Sequence, residues 1–353
     1  MSRRTWASIL ALVLVVGLSV VAASREVPYV TFSPGPTVNV LGEYDGKSII
    51  TVKGHPAYRD EGALRLTTVI PSGPQEKVNI ATMVFAWLDP DRAVYPRRII
   101  YGDRDTRQTV RDESAAQMAS SQDNAIASAL SALDIPFTTK VGVAAVDKGG
   151  PAEGKLEPGD IIVSVDGHDV KDVSDVTDRV RPLPVGSPVE MTVRRAGGLQ
   201  RVELVTTEAP DDPNASAVRV SIQAAGYRFP FQVDLKLNDN IGGPSAGLMF
   251  ATGIYDVLTP GSLTGGKAIA GTGEIDGEGK VGPIGGIQQK LVGAQGDGAR
   301  LFLVPADNCA EAVAGQYDSD RMRLVKVNTL DEAVEDVKAW VKDPDADLPR
   351  CTA

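Results

Sequence analysis

Residues 238–258 read NDNIGGPSAGLMFATGIYDVL, and residues 268–295 read AIAGTGEIDGEGKVGPIGGIQQKLVGAQ. In the first stretch Ser245 stands at a Gly/Pro turn, directly before a helical run from Ala246 to about Leu258. A serine at a helix N-terminus sits beside unpaired backbone N–H groups and the positive end of the helix dipole, which suits a developing oxyanion. Pro244 has no N–H, so the donors would come from Ser245 itself and from Gly243 or Gly242. A plain N-cap serine is the other reading of the same pattern. In the second stretch a strand, a Gly-rich turn and another strand run into a helix from about Gly286. Lys290 lies one turn inside that helix, and Ile287, Leu291 and Ala294 would wall it with apolar surface. A lysine kept neutral by burial can accept a serine's proton. Spacing alone also allows a lysine on a solvated helix face.

Gly243 to Gly247 also satisfies the G-x-S-x-G elbow of the α/β-hydrolases, whose histidine follows the serine in sequence. Here both histidines, His55 and His168, precede Ser245, so that reading lacks a base. His55 beside Pro56 reads as a solvated loop residue.

From about 137 to 209 the strand VGVAAV (141–146) leads to GGPAEGKLEPGDIIVSVDGHDV (149–170). A helix near 173–181 follows, then the strands SPVEMTVRR (187–195) and LQRVELVT (199–206). Asp166-Gly167 reads as a hairpin turn. Pro151-Ala152, the leucine of KLEPGD and IIVSVDG together resemble a PDZ domain of the bacterial, protease-associated kind, over about 75 residues. Such domains bind an extended C-terminal peptide by adding a strand to a sheet edge. The resemblance implies that the backbone near Val141, Gly142 and Val143 receives the peptide. A unit that only spaces or gates its neighbour is the alternative.

GPSAG, TGEI (272–275), VGPIGGIQQKL (281–291) and ARLFLVPADN (299–308) resemble, in the same order, the proteolytic domain of the Lon family of serine–lysine dyad peptidases. The resemblance implies that Ser245 is the nucleophile and Lys290, forty-five positions later, the general base. Thr272 would orient the lysine amine by a hydrogen bond. Many members carry Lys-Asp directly before GPSAG, where this chain has Ile241-Gly242, so Asp239 or Asn240 would have to substitute for that acid. Lon proteases in the strict sense also carry an ATPase. The nearest phosphate-loop look-alike here, GSLTGGKA (261–268), has Ala268 where a magnesium-binding Ser or Thr is needed, and it sits between a helix and a strand. Hydrolysis is therefore expected to be ATP-independent.

Two His and two Cys in 353 residues leave thin supply for a metal site, so no metal or other cofactor is expected. A net charge of −10 argues against nucleic acid as a partner. Arg3 and Arg4 precede an uncharged apolar run of 18 residues, Trp6 to Ala23, read as a single-pass transmembrane anchor with the body outside the cytoplasm. A cleaved signal peptide is the rival reading. Export would permit a disulfide between Cys309 and Cys351, although two free thiols are favoured because Cys351 lies in a Pro/Asp-rich tail.

The expected fold class is α+β: a Lon-type proteolytic domain with mixed sheets and packed helices, carrying an inserted PDZ domain. Residues 1–24 are the tip and anchor, 25–136 and 210–345 the two parts of the protease domain, 137–209 the PDZ domain and 346–353 a tail. Three sequential domains are the alternative to nesting. PDDPNAS (210–216) reads as a linker. The expected function is a membrane-anchored serine endopeptidase of the cell envelope acting on protein or peptide substrates. Its rivals are a PDZ adaptor on an inactive protease fold and a tail-processing Ser/Lys protease. The resemblance also implies a hexameric homo-oligomer.

Overall fold

The computed structural model describes residues 3–210, 212–237 and 241–352. The chain opens with helix α1 (Arg3–Ala23), strands β1 (Glu26–Val27), β2 (Tyr29–Asn39), β3 (Ala63–Pro71) and β4 (Val78–Asn79), helix α2 (Ile80–Leu88), strand β5 (Ala93–Pro96), and helices α3 (Arg97–Ile100) and α4 (Arg107–Ala132). Next come β6 (Thr138–Val146), β7 (Ile161–Val165), α5 (Val173–Val180), β8 (Pro188–Arg195), β9 (Gly198–Val205) and β10 (Val220–Arg228). The last part holds α6 (Gly247–Leu258), β11 (Ala268–Gly271), α7 (Ile287–Gly296), β12 (Leu301–Pro305), α8 (Cys309–Val313), β13 (Arg323–Val327) and α9 (Leu330–Lys342). Two compact units result: Met1–Leu133 with Val233–Ala353, and Asp134–Gln232.

In the first unit six strands form one mixed sheet, in the order β13-β12-β11-β3-β2-β5. β11 runs parallel to both β3 and β12, with Ile269 opposite Leu64 and Leu301. Strands from both ends of the sequence thus make one sheet. Residues 29–39, YVTFSPGPTVN, form a single strand, β2, whose register with β3 shifts between Pro34 and Thr37. Two prolines without N–H groups interrupt the ladder there. α6 is buried on nearly every side and packs against α4 and β3, while α7 lies over β2 and β3. α4 starts at a capping box between Thr106 and Thr109 and runs about 39 Å at 1.5 Å per residue. From its middle onward it buries Met118, Ser121 and the run Ala125 to Leu130.

Two expectations about the ends need correction. The transmembrane helix is not supported: α1 forms, but among the described residues no helix is long and apolar enough to cross a membrane. Its uncharged run is at the short limit for a bilayer and includes Gly17 and Ser19. At the other end Cys309 and Cys351 form a disulfide rather than free thiols. The tail is held in place, because Lys326 N–H donates to the Pro349 carbonyl at 3.0 Å and Leu348 is buried. Cys351 packs on the cluster that contains Ile287, Leu291 and Phe302.

In the second unit the sheet order is β9-β8-β7-β6-β10, with a short strand His168–Asp169 on β7. Val141, Val143, Ile162, Val165, Met191, Val193 and Leu204 fill its core together with Val176 and Val180 of α5. Asp166 and Gly167 both have positive φ, as a two-residue hairpin requires. Buried Asp160 accepts two hydrogen bonds from Arg195, at 2.7 and 2.6 Å, and this charge-assisted pairing holds its carboxyl below the usual range. The unit is longer than the expected 137–209. The supposed linker contributes strand Asp212–Ala217, paired with Thr207–Ala209, and β10 pairs along most of β6.

Candidate active site

A short 3₁₀ turn, Pro244–Ala246, feeds α6 and places Ser245 just before that helix. α4 supports the turn from one side: Gly243 N–H donates to the Ser114 carbonyl at 3.0 Å, and Ser121 Oγ donates to the Pro244 carbonyl at 2.9 Å. Close approach explains two of the glycines. A Cβ on Gly242 would meet Ser114 Cβ at 2.8 Å, and one on Gly247 would meet Ile275 Cγ2 at 2.8 Å and Ser121 Oγ at 2.9 Å. On the other side lies the TGEI segment. Gly273 N–H donates to the Ser245 carbonyl at 3.0 Å, and Leu248 N–H donates to the Gly273 carbonyl at 3.1 Å.

Lys290 is the fourth residue of α7, and only 2% of its surface is exposed, so its amine is withdrawn from bulk solvent. Ile287, Leu291 and Ala294 of the same helix are fully buried. Burial disfavours the charged form and lowers the amine's pKa from 10.5 to about 7, against the opposing pull of the nearby Glu274 carboxylate. Its hydrogen bond goes to Thr272 Oγ1 at 2.9 Å, and that hydroxyl donates to the Ser245 carbonyl at 3.0 Å. Thr272 is itself fully buried. One hydroxyl therefore ties the Lys290 amine to the Ser245 backbone. With half of its population neutral near pH 7, this lysine can serve as a proton acceptor without a histidine.

Of the three expected oxyanion donors, Gly243 is already engaged by Ser114, which leaves the N–H groups of Ser245 and Gly242. Asp239 and Asn240 lie outside the described residues. Neither histidine belongs to the constellation: His168 bonds the Asp166 carbonyl in the second unit, and His55 bonds the carbonyl of adjacent Pro56. Lys267 of the phosphate-loop look-alike lies over the Trp340 ring at 4.6 Å and donates to the Val341 carbonyl. Asn124 Nδ2 of α4 also donates to the Ile275 carbonyl at 3.1 Å, so Ser114, Ser121 and Asn124 support the site without having stood out in the sequence. Their only signal was a run of small polar residues on an otherwise ordinary helix.

In the second unit Val141, Gly142 and Val143 lie in β6, which is an interior strand. Gly142 faces Ile161 of β7 on one side and Gln223 of β10 on the other. The expected peptide-receiving edge is thus already paired. The terminal strand on this side is β10, which also packs against α5. Val220 and Ile222 of β10, Val173 of α5 and Leu183 are half-buried around it.

Residues 142–195 match the family model of the PDZ domain, and residues 240–339 match that of the Lon protease C-terminal proteolytic domain. Lon protease of Campylobacter concisus is 35% identical over 96 residues, which are 26% of this chain and 12% of that protein. Lon protease 2 of Bacillus subtilis is 33% identical over 97 residues, 28% of this chain and 17% of its own length. The chain thus matches less than a fifth of the length of these curated relatives. Among solved structures, a protein from Geobacillus thermodenitrificans is 31% identical over 24% of this chain and 95% of its own, with a TM-score of 0.22. The PDZ domain of an SdrC-like protein from Listeria monocytogenes is 20% identical over 23% of this chain and 85% of its own, also with a TM-score of 0.22. The chain joins a PDZ domain to a Lon-type proteolytic domain, the domain of a serine-type peptidase.

Proposed function

We propose that this PDZ-containing, Lon-like chain is an ATP-independent endopeptidase that uses a Ser245/Lys290 dyad on protein substrates outside the cytoplasm. The observation that carries the reading is the buried Lys290 amine, poised near pH 7 and linked through Thr272 to Ser245. Neutral Lys290 takes the Ser245 Oγ proton as Oγ bonds to the substrate carbonyl carbon. Backbone N–H groups of Ser245 and Gly242 receive the oxyanion. The protonated amine then gives its proton to the departing nitrogen as the C–N bond breaks. Water attacks the resulting ester, Lys290 relays its proton to Ser245 Oγ, and the acid leaves.

Energy independence is supported by the use of Lys267 as a structural cation rather than a phosphate ligand. The disulfide supports an oxidising compartment, and the exposed apolar side chains of α1 support contact with a membrane. A substrate or regulatory peptide would add to the outer edge of β10 beside α5, its apolar side chain meeting Val220, Ile222, Val173 and Leu183. Assembly into a ring of six copies follows from the resemblance to Lon proteases. Full-length protein carrying Ser245→Ala or Lys290→Ala should lose hydrolysis of an unfolded protein substrate, without any nucleotide present. Wild-type rates in both variants would overturn the assignment.

A further inference from the structure

α2 begins where α1 ends. β1, three residues after α1, pairs with β4, directly before α2, so that Glu26 faces Asn79 and Val27 faces Val78. Ile80 N–H then donates to the Arg25 carbonyl at 3.0 Å, and Arg97 N–H at the start of α3 donates to the Pro28 carbonyl at 2.8 Å. The end of α1 and the starts of two further helices are therefore pinned to the segment 25–28. α2 reads IATMVFAWL, and only Ala86 turns fully inward. Phe85 is 74% exposed, Trp87 76%, Leu88 65% and, on α3, Ile99 67%. An apolar cluster of this kind on a nine-residue helix has no place in water unless something covers it. On α1, which α2 touches, the side chains from Leu12 to Val16 are each more than half exposed as well.

We infer that α2, with Ile99 of α3, is a membrane-contacting element that lays the first unit against an anionic lipid surface. Three features select lipid over protein as the occupant. Trp87 and Phe85 are the side chains that favour the boundary between headgroups and acyl chains. Exposed Arg25, whose carbonyl accepts the first N–H of α2, and exposed Arg98 at the start of α3 are cations that can reach lipid phosphates. α2 also touches α1 and is tied to its end by the β1–β4 pairing, so a lipid surface that meets α1 lies within reach of α2. The inference rests on the reading that α1 meets a membrane, and it adds a second contact that fixes how the unit lies there.

The test uses full-length protein mixed with phosphatidylcholine–phosphatidylglycerol vesicles in which the lipid carries bromine at a shallow acyl position. Trp340 is buried in the protein and supplies an unquenched floor. In a Trp6→Phe protein the bromolipid should lower the emission, and adding Trp87→Phe should remove that loss. Replacing phosphatidylglycerol by phosphatidylcholine, or introducing Arg25→Gln with Arg98→Gln, should reduce the quenching. If wild-type emission is quenched through Trp6 while the Trp6→Phe protein is unaffected, α1 meets lipid and α2 does not, and the inference falls alone. Absence of quenching in both proteins removes the membrane reading as well. An unquenched Trp87 together with a smaller assembly in Phe85→Glu/Leu88→Glu protein would make the patch a contact between copies, which also overturns it.

Discussion

Lys290 should impose its titration on the rate. A pKa of about 7 makes roughly a tenth of the enzyme competent at pH 6 and roughly nine-tenths at pH 8. kcat/KM should therefore climb about tenfold over that interval and level off above it. An unburied lysine would behave differently, with a tenfold gain per pH unit and no plateau below about pH 10. Initial rates on a short fluorogenic peptide across this range distinguish the two. Glu274 raises the amine's pKa, so Glu274→Gln should move the midpoint to lower pH. The same burial costs stability. Below about pH 7 the amine is charged in both the folded and unfolded states, and the folded protein carries the full penalty, roughly 5 kcal/mol for the fall from 10.5. Between about 7 and 10.5 only the unfolded state stays protonated, so the penalty fades as pH rises. Lys290→Met should thus abolish activity yet stabilise the fold by about 1–4 kcal/mol at neutral pH, read from denaturant midpoints. An acid limb centred above about pH 9, or a Lys290→Met protein less stable than wild type, would refute the account.

Thr272→Val removes both the acceptor of the lysine's bond and the donor to Ser245; kcat should fall about 10–100-fold with KM little changed, and Thr272→Ser should restore most of it. Cys351→Ser opens a loop between residues 42 apart, which the chain-entropy model values at about 4 kcal/mol; urea midpoints should drop accordingly, and added reductant should affect only the wild type. Ile222→Asp puts a charge on β10, where the side chain packs on the core of the second unit, and in protein that stays folded by circular dichroism it should weaken binding of a peptide with an apolar C-terminus by roughly tenfold or more in anisotropy titrations. Unchanged affinity would move the peptide site elsewhere.

Local chemistry made much of the site legible. A proline and three glycines around Ser245 specify a tight turn into a helix, and Lys290 sits among apolar neighbours at helical spacing. Non-local facts were hidden. Which strand is the sheet edge depends on β10 returning to pair with β6 some eighty positions earlier, and nothing within VGVAAV reveals it. The engagement of Gly243 likewise depends on α4 bringing Ser114 against the turn, from more than a hundred positions away. Proline and aspartate in the tail suggest fraying and free thiols, whereas Leu348 and Pro349 hold the tail down, beside the disulfide, through contacts that composition does not encode. In β2 two prolines, which ordinarily end a ladder, mark only a register shift within one strand, because β3 continues to pair on both sides of them.

The six-stranded sheet has a consequence for biosynthesis. β2, β3 and β5 leave the ribosome first, and β11, their parallel neighbour through β3, emerges only after the whole of Asp134–Gln232 has been made. Until then β3 presents an unpaired row of amides and carbonyls, the kind of edge that invites wrong partners. The inserted unit contains all its own strands and can collapse while its host is still waiting. A translation product that stops before residue 268 would thus hold a folded PDZ sheet between two halves of an unfinished protease, with neither Thr272 nor Lys290 yet in existence.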